Sequence, residues 1–192
     1  MTSNGVYVLD MLDKYKIRKD AKILDVGCGD GSMIMCLKEH GYNRVSGCDV
    51  DGMSDYGDAE NLPYRNNSFD VIIMCHVLEH VDNPVRALSE AKRVSKGIIV
   101  VLLPNFSNLF SRLYFLFTGR PLFFRDYGWD KEHRHILSVH IMKRLCKYLN
   151  MKPDFYPTKS FIPKLKIRMP NRLLFSDGFV MVTLRQLREK NA

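Results

Sequence analysis

An α/β fold organised around a mainly parallel sheet is what this sequence predicts, and three observations predict it. Four short apolar runs, "AKILDVG", "RVSGCDV", "SFDVIIMCH" and "GIIVVLLPN", have the length and content of buried strands. Helical segments, "SMIMCLKEHG" and "NPVRALSEAKRVSKG", are interleaved with them. Directly between the first run and its helix stand three glycines, Gly27, Gly29 and Gly31. That is where a parallel α/β sheet binds ligands.

The elements follow in order. Val6, Leu9 and Leu12 mark a short amphipathic helix ahead of the first strand. Gly41 closes the helix after the glycine loop. Val71, Ile72 and Ile73 suit a strand covered on both faces. In the next helix Asn83 is the expected cap, Pro84 occupies the first turn and Gly97 is the expected stop. The spacing of Leu109, Leu113 and Leu116 predicts a core-facing lid helix inside an aromatic insertion that includes Tyr127 and Trp129, the alternatives being a pocket over an apolar acceptor, a dimer surface or an interfacial membrane contact anchored by Arg. A helix near "SVHIMKRLCKYLN" and a strand "GFVMVTLRQ" complete the chain. No repeat or flexible linker divides it. The expectation is one domain over 1–192, with a first half at 20–105, the lid insertion at 106–137 and a final helix and strands at 138–192.

Composition narrows the classes. With 192 residues, 46% of them apolar, the chain can bury one substantial core. There is no apolar run behind a basic start, so no signal peptide is expected. The most apolar later stretch is broken by Arg112 and Arg120, which argues against a membrane span. Five cysteines form no C-x-x-C pair and read as reduced, buried thiols, which suits a cytoplasmic setting. Charge is unevenly spread. Residues 1–105 carry 12 Lys/Arg against 15 Asp/Glu, a net of −3, and residues 106–192 carry 17 against 6, a net of +11. "PKLKIRMPNR" adds to that second half. Such a field draws anions, whether a small anionic molecule, nucleic acid or an acidic membrane surface, although a solvated basic face needs no partner.

Gly27, Gly29 and Gly31 are spaced G-x-G-x-G, which differs from the G-x-G-x-x-G of a dinucleotide site. Glycines there allow a tight turn and a close approach of backbone N–H groups to a ligand. Asp49 ends the second strand, where a carboxylate can accept hydrogen bonds from a ribose diol. "CHVLEHV" contains His76-x-x-Glu79-His80, the spacing of an inverted zincin protease. That site needs one long helix, and Asn83-Pro84 interrupts too soon, so a turn is predicted and no metal site. A divalent cation held by His76, Glu79 and His80, with His133 or His135, is the weaker alternative.

Taken in order, "ILDVGCGDG", "GCD", "GDAENLP" and "FDVIIMCHVLEHV" resemble the class I S-adenosylmethionine-dependent methyltransferases, in their type 11 branch. A looser similarity to MetW-type proteins continues through "PNF", "TGRP" and a later H-x-L-S. The resemblance implies a Rossmann-like fold with seven strands, the last antiparallel, and S-adenosylmethionine as cofactor. It implies that Asp25 orients the glycine loop, whose Gly27, Cys28, Gly29 and Gly31 lie along the methionine end. It assigns the ribose to Asp49 beside Val50, the adenine to Asp58 and Ala59, and the methionine amine to the backbone at Cys75. The stretch between Asp49 and Asp58 is shorter than a normal helix, so the adenine side is expected to be more open, with Asp51 or Asp55 able to share the role. Asp30 and Glu60 are expected to be simply exposed. If the acceptor must lose a proton, His76, Tyr127, His133 and His135 are the candidate bases. A small or anionic acceptor is expected. The alternative is a non-catalytic cofactor- or partner-binding protein on the same fold.

Overall fold

The computed structural model describes residues 3–51, 55–120, 134–158, 176 and 178–185. It begins with α1 (Ser3–Lys14), β1 (Ile23–Val26), α2 (Ser32–Glu39) and β2 (Val45–Asp49). Next come β3 (Asp55–Tyr56), β4 (Phe69–Cys75), α3 (Pro84–Val94) and β5 (Ser95–Pro104). The remainder is α4 (Leu109–Thr118), α5 (Val139–Tyr148), β6 (Met151–Pro157) and β7 (Gly178–Arg185). The seven strands form one sheet in the order β3-β2-β1-β4-β5-β7-β6. The pairings among β1 to β5 are all parallel, and β7 runs antiparallel to both of its neighbours.

Period-two alternation splits the apolar strands between two cores. Leu24, Val26, Ile72, Met74, Ile99 and Val101 face one way, against Ala87, Leu88 and Val94 of α3 and Met142 and Cys146 of α5. Ile23, Val71, Ile73, Val100 and Leu102 face the other, against Val8 and Leu12 of α1 and Met33 and Leu37 of α2. The result is a helix–sheet–helix sandwich, which explains why both faces of these strands carry apolar residues. The turn after β1, where the chain crosses from sheet to helix layer, opens at the carboxyl edge.

Local chemistry sets the ends of the helices. The Asn83 side chain accepts the Arg86 N–H at 3.1 Å, with Pro84 at the first helical position. Gly41, at φ 86°, closes α2 while the Tyr42 N–H returns to the Leu37 carbonyl. Gly97 does not stop α3. The helix ends at Val94, and Ser95 is already paired with Phe69, so the β4–β5 ladder captures the chain first.

Two strands were not legible in sequence. β3 is only a two-residue ladder on β2, and β6 carries Pro153 and alternates weakly. The larger difference is α4. Its leucines do not face the core: Leu113 and Leu116 are 42% and 72% exposed, and Ser111 is the buried residue of the helix. Helical spacing locates an apolar face, but only packing decides what meets it. Tyr127, Trp129, His133 and the run "PKLKIRMPNR" lie outside the described residues.

Candidate cofactor and acceptor cleft

β1 delivers the chain to the glycine loop at the carboxyl edge of the sheet. Gly27 has φ 71° and donates its N–H to the Cys48 carbonyl at 2.8 Å. A Cβ there would sit 2.5 Å from a Val77 methyl, so the turn after β4 is packed directly on this glycine. Gly31, also left-handed, is the N-cap of α2. Asp49 fastens the loop from the next strand. Its Oδ2 accepts the Gly29 N–H at 2.8 Å and its Oδ1 the Asp51 N–H at 3.1 Å. Each carboxylate oxygen keeps a further lone pair.

Asp25 lies beneath this loop, 1% exposed, and its Oδ2 has no hydrogen-bond partner. Burial, with Asp49 as the second cause, pushes its carboxyl up to about 7. An orphaned acid beside a ligand-binding loop is an acceptor that awaits a donor.

A cleft of about 460 Å³ opens between the loop and the turns after β3 and β4. That lies within the roughly 300–1,000 Å³ of small-molecule sites. Gly27, Asp49 and Val50 form one wall, and Gly57, Asp58, Ala59 and Glu60 a second. His76, Val77, His80, Val81 and Asp82 form the third, with Arg134 at the rim. Asp58 uses Oδ1 to accept the Glu60 N–H at 2.8 Å. Glu60 is not merely exposed. Its carboxylate accepts the Asn83 N–H and its carbonyl accepts from Arg86 Nε, which ties this wall to the start of α3. Asp30 is exposed and accepts the Ser32 N–H.

"CHVLEH" is a turn at the end of β4. His76 takes φ 55°, uncommon outside glycine, and its N–H returns to the Leu102 carbonyl. Its Nδ1 lies 3.0 Å from Oε1 of Glu79, whose side chain is 1% exposed, while the imidazole is 40% exposed in the cleft. A carboxylate accepts only, so Nδ1 donates and the lone pair of the neutral ring is on Nε2. Glu79 Oε2 has no partner. The Glu79 carbonyl accepts the N–H groups of Arg134 and His135, which docks the segment before α5 on the turn. His135 Nε2 donates to the Asp82 carbonyl at 3.1 Å.

The cleft therefore brings together Gly27, Asp49, Val50, Asp58, Ala59 and His76 of the residues expected from sequence. Asp25, Cys28, Gly29, Gly31 and Cys75 stand behind or beside it. Cys28 is buried, with its sulfur against Gly47, and Cys75 packs toward the α1–α2 core. Tyr127 and His133 fall outside the described residues. Among the described residues no three His, Cys, Asp or Glu side chains converge as metal ligands. Val77, Asp82 and Arg134 were missed. Gly27 in the G-x-G-x-G loop could have signalled a close neighbour such as Val77, but nothing local marks Arg134, which reaches the rim through long-range backbone contacts.

Sheet order, reversed β7 and a cleft at the carboxyl edge define a class I methyltransferase fold. Residues 24–101 match the family described as Methyltransferase domain. A demethylmenaquinone methyltransferase of Staphylococcus epidermidis is 31% identical over 148 residues, 64% of this chain and 61% of that protein. The chain spans about six-tenths of the length of the curated relatives it matches. A SAM-dependent methyltransferase from Archaeoglobus fulgidus superposes with a TM-score of 0.64 at 20% identity, over 94% of both chains. Magnesium protoporphyrin IX methyltransferase from Synechocystis, with bound SAH, gives 0.65 at 14% identity over 95% of this chain and 82% of that one. Residues 24–101 are thus similar to the Methyltransferase domain family, and the chain shares the fold of solved S-adenosylmethionine-dependent methyltransferases.

Proposed function

We propose that this protein transfers the methyl group of S-adenosylmethionine to a small, hydroxylated or anionic acceptor. The observation that carries the reading is the cleft itself: a glycine loop, an orphaned Asp25 beneath it and two further carboxylates, Asp49 and Asp58, around one small-molecule volume. The residues fit the cofactor's chemistry. Asp49 has free lone pairs for the ribose diol, Asp58 for the adenine amine, and the Ala59 backbone borders the ring. Asp25 and the backbone of Gly27, Cys28, Gly29 and Gly31 serve the methionine end, with the Cys75 backbone, and Val50 stands beside the ribose. When bound, the cofactor supplies an electrophilic methyl group. The chain's task is then to align the acceptor, exclude water and remove a proton.

His76 is the proposed base. Glu79 holds Nδ1–H, so Nε2 is the atom left to accept a hydroxyl proton, in the manner of a carboxylate-oriented histidine. His135 ranks behind it, because its Nε2 is engaged by Asp82. The docking of Arg134 and His135 on the Glu79 carbonyl supports a covering role at the cleft rim for the end of the insertion alone, since α4 within it turns its apolar face to solvent. The reading is tested by calorimetry with S-adenosylmethionine, its demethylated product and NAD. Micromolar binding of the first two and none of NAD is expected, weakened by about 1–3 kcal/mol in Asp49→Ala. Binding of NAD alone would overturn it. His76→Gln is expected to keep cofactor affinity and lose methyl transfer to a panel of small phenols and carboxylic acids.

A further inference from the structure

We propose that α4 is an interfacial helix that docks this protein on an anionic lipid bilayer. Leu109, Phe110, Leu113, Leu116 and Phe117 fall at i, i+1, i+4, i+7 and i+8 and so share one helical face. Their exposures are 36%, 54%, 42%, 72% and 80%. Ser111 alone is buried and Tyr114 half-buried, and Phe115, on the far side of the helix, is 54% exposed as well. A surface helix of a globular protein normally turns its apolar stripe inward. A contiguous face of large apolar side chains marks an interaction site.

The helix is held firmly at its start. Asn108 caps it by accepting the Ser111 N–H at 2.8 Å and donates its own amide to the Asn105 carbonyl at 2.9 Å. Asn105, itself buried, donates to the Ser176 carbonyl ahead of β7. The apolar face is therefore presented by a fixed mount at the carboxyl edge of the sheet.

Charge identifies the occupant. Between Lys96 and Asp126 the sequence carries Arg112, Arg120 and Arg125 and no carboxylate. Arg112 borders the apolar face and is exposed, and Arg120 follows the C-cap Gly119 and is exposed. A second copy docking face to face would bring Arg112 and Arg120 near their own mates, which is repulsive. An apolar surface beside the exposed Arg112 and Arg120 is complementary to acyl chains under anionic headgroups. Ten residues span only about 15 Å, so the helix lies in the interface plane. In line with this, no helix among the described residues is long and apolar enough to cross a membrane.

The test is flotation of the full chain with vesicles of phosphatidylcholine alone or phosphatidylcholine mixed with phosphatidylglycerol. Binding to the mixed vesicles, weakened by salt and by Arg112→Gln with Arg120→Gln, is expected. Leu116→Asp with Phe117→Asp should lower the bound fraction about tenfold or more and leave thermal stability and cofactor affinity unchanged. Several outcomes overturn the proposal. These are no binding to anionic vesicles, equal binding to neutral ones, and binding that survives the double aspartate variant. A fall in melting temperature in that variant would show that the chain's own residues cover the face. A concentration-dependent dimer abolished by it would show that a second copy does. Because cofactor affinity is read in parallel, failure here is distinct from failure of the methyl-transfer reading.

Discussion

Helices α3 and α4 are built alike at their starts and end up opposite in their surroundings. Each is opened by an asparagine whose side chain accepts an N–H three residues on, Asn83 from Arg86 and Asn108 from Ser111. Each carries an apolar stripe. α3 buries its stripe completely, with Ala87, Leu88, Ala91 and Val94 at 0% exposure, while α4 turns its stripe to solvent. The comparison teaches that capping and periodicity specify where a helix forms and which face is apolar. They are silent on whether that face is used to hold the fold together.

The largest expected effect tests that contrast directly. Leu88→Ala removes a fully buried side chain and should cost about 2–5 kcal/mol in denaturant unfolding. Leu116→Ala, on the exposed face, should change stability by no more than about 0.5 kcal/mol. Equal effects would show that α4 is packed as α3 is.

A smaller effect separates the cleft from both helices. Gly27→Ala meets a left-handed φ and the Val77 methyl, so a loss of about 1–3 kcal/mol in stability, with weakened cofactor binding, is expected by calorimetry. Gly31→Ala shares the positive φ without a neighbour within 4 Å and should cost less. Asp25 supplies a pH signature of the same region. Its folded-state pKa stands above its ordinary value, so the native protein binds the extra proton. Stability from this group is present below about pH 4 and is lost as pH rises toward about 7. Asp25→Asn should flatten that part of the stability–pH curve measured without cofactor. A slope unchanged in the variant would mean that Asp25 is ionised in the native state.

The smallest effects should be equal ones. Asn83→Ala and Asn108→Ala are each expected to cost about 1 kcal/mol, since each removes one cap from one helix end. If only Asn83→Ala is costly, α4 contributes little to the cooperative fold, and the contrast between the two helices is sharper still.

Some of this was written in the chain itself. The runs that became β4 and β5 are apolar at consecutive positions over 71–75 and 98–103, as a doubly covered strand tolerates, and the glycines between β1 and α2 are the residues that a left-handed loop requires. Asp49 was singled out by its place at a strand end and Asp58 by the family resemblance of "GDAENLP", and both line the cleft. Tertiary structure alone decided the rest. β3 and β6 are strands through their partners, not through their own pattern. His76 gained a defined tautomer only because Glu79 is buried three residues away, and Arg134 reached the cleft rim through hydrogen bonds to a turn more than fifty residues earlier. Local sequence encodes backbone preference and the direction of a side chain. Which face is covered, which acid is left without a donor and which distant residue closes a cleft depend on contacts between segments. Those contacts have no signature in any one segment.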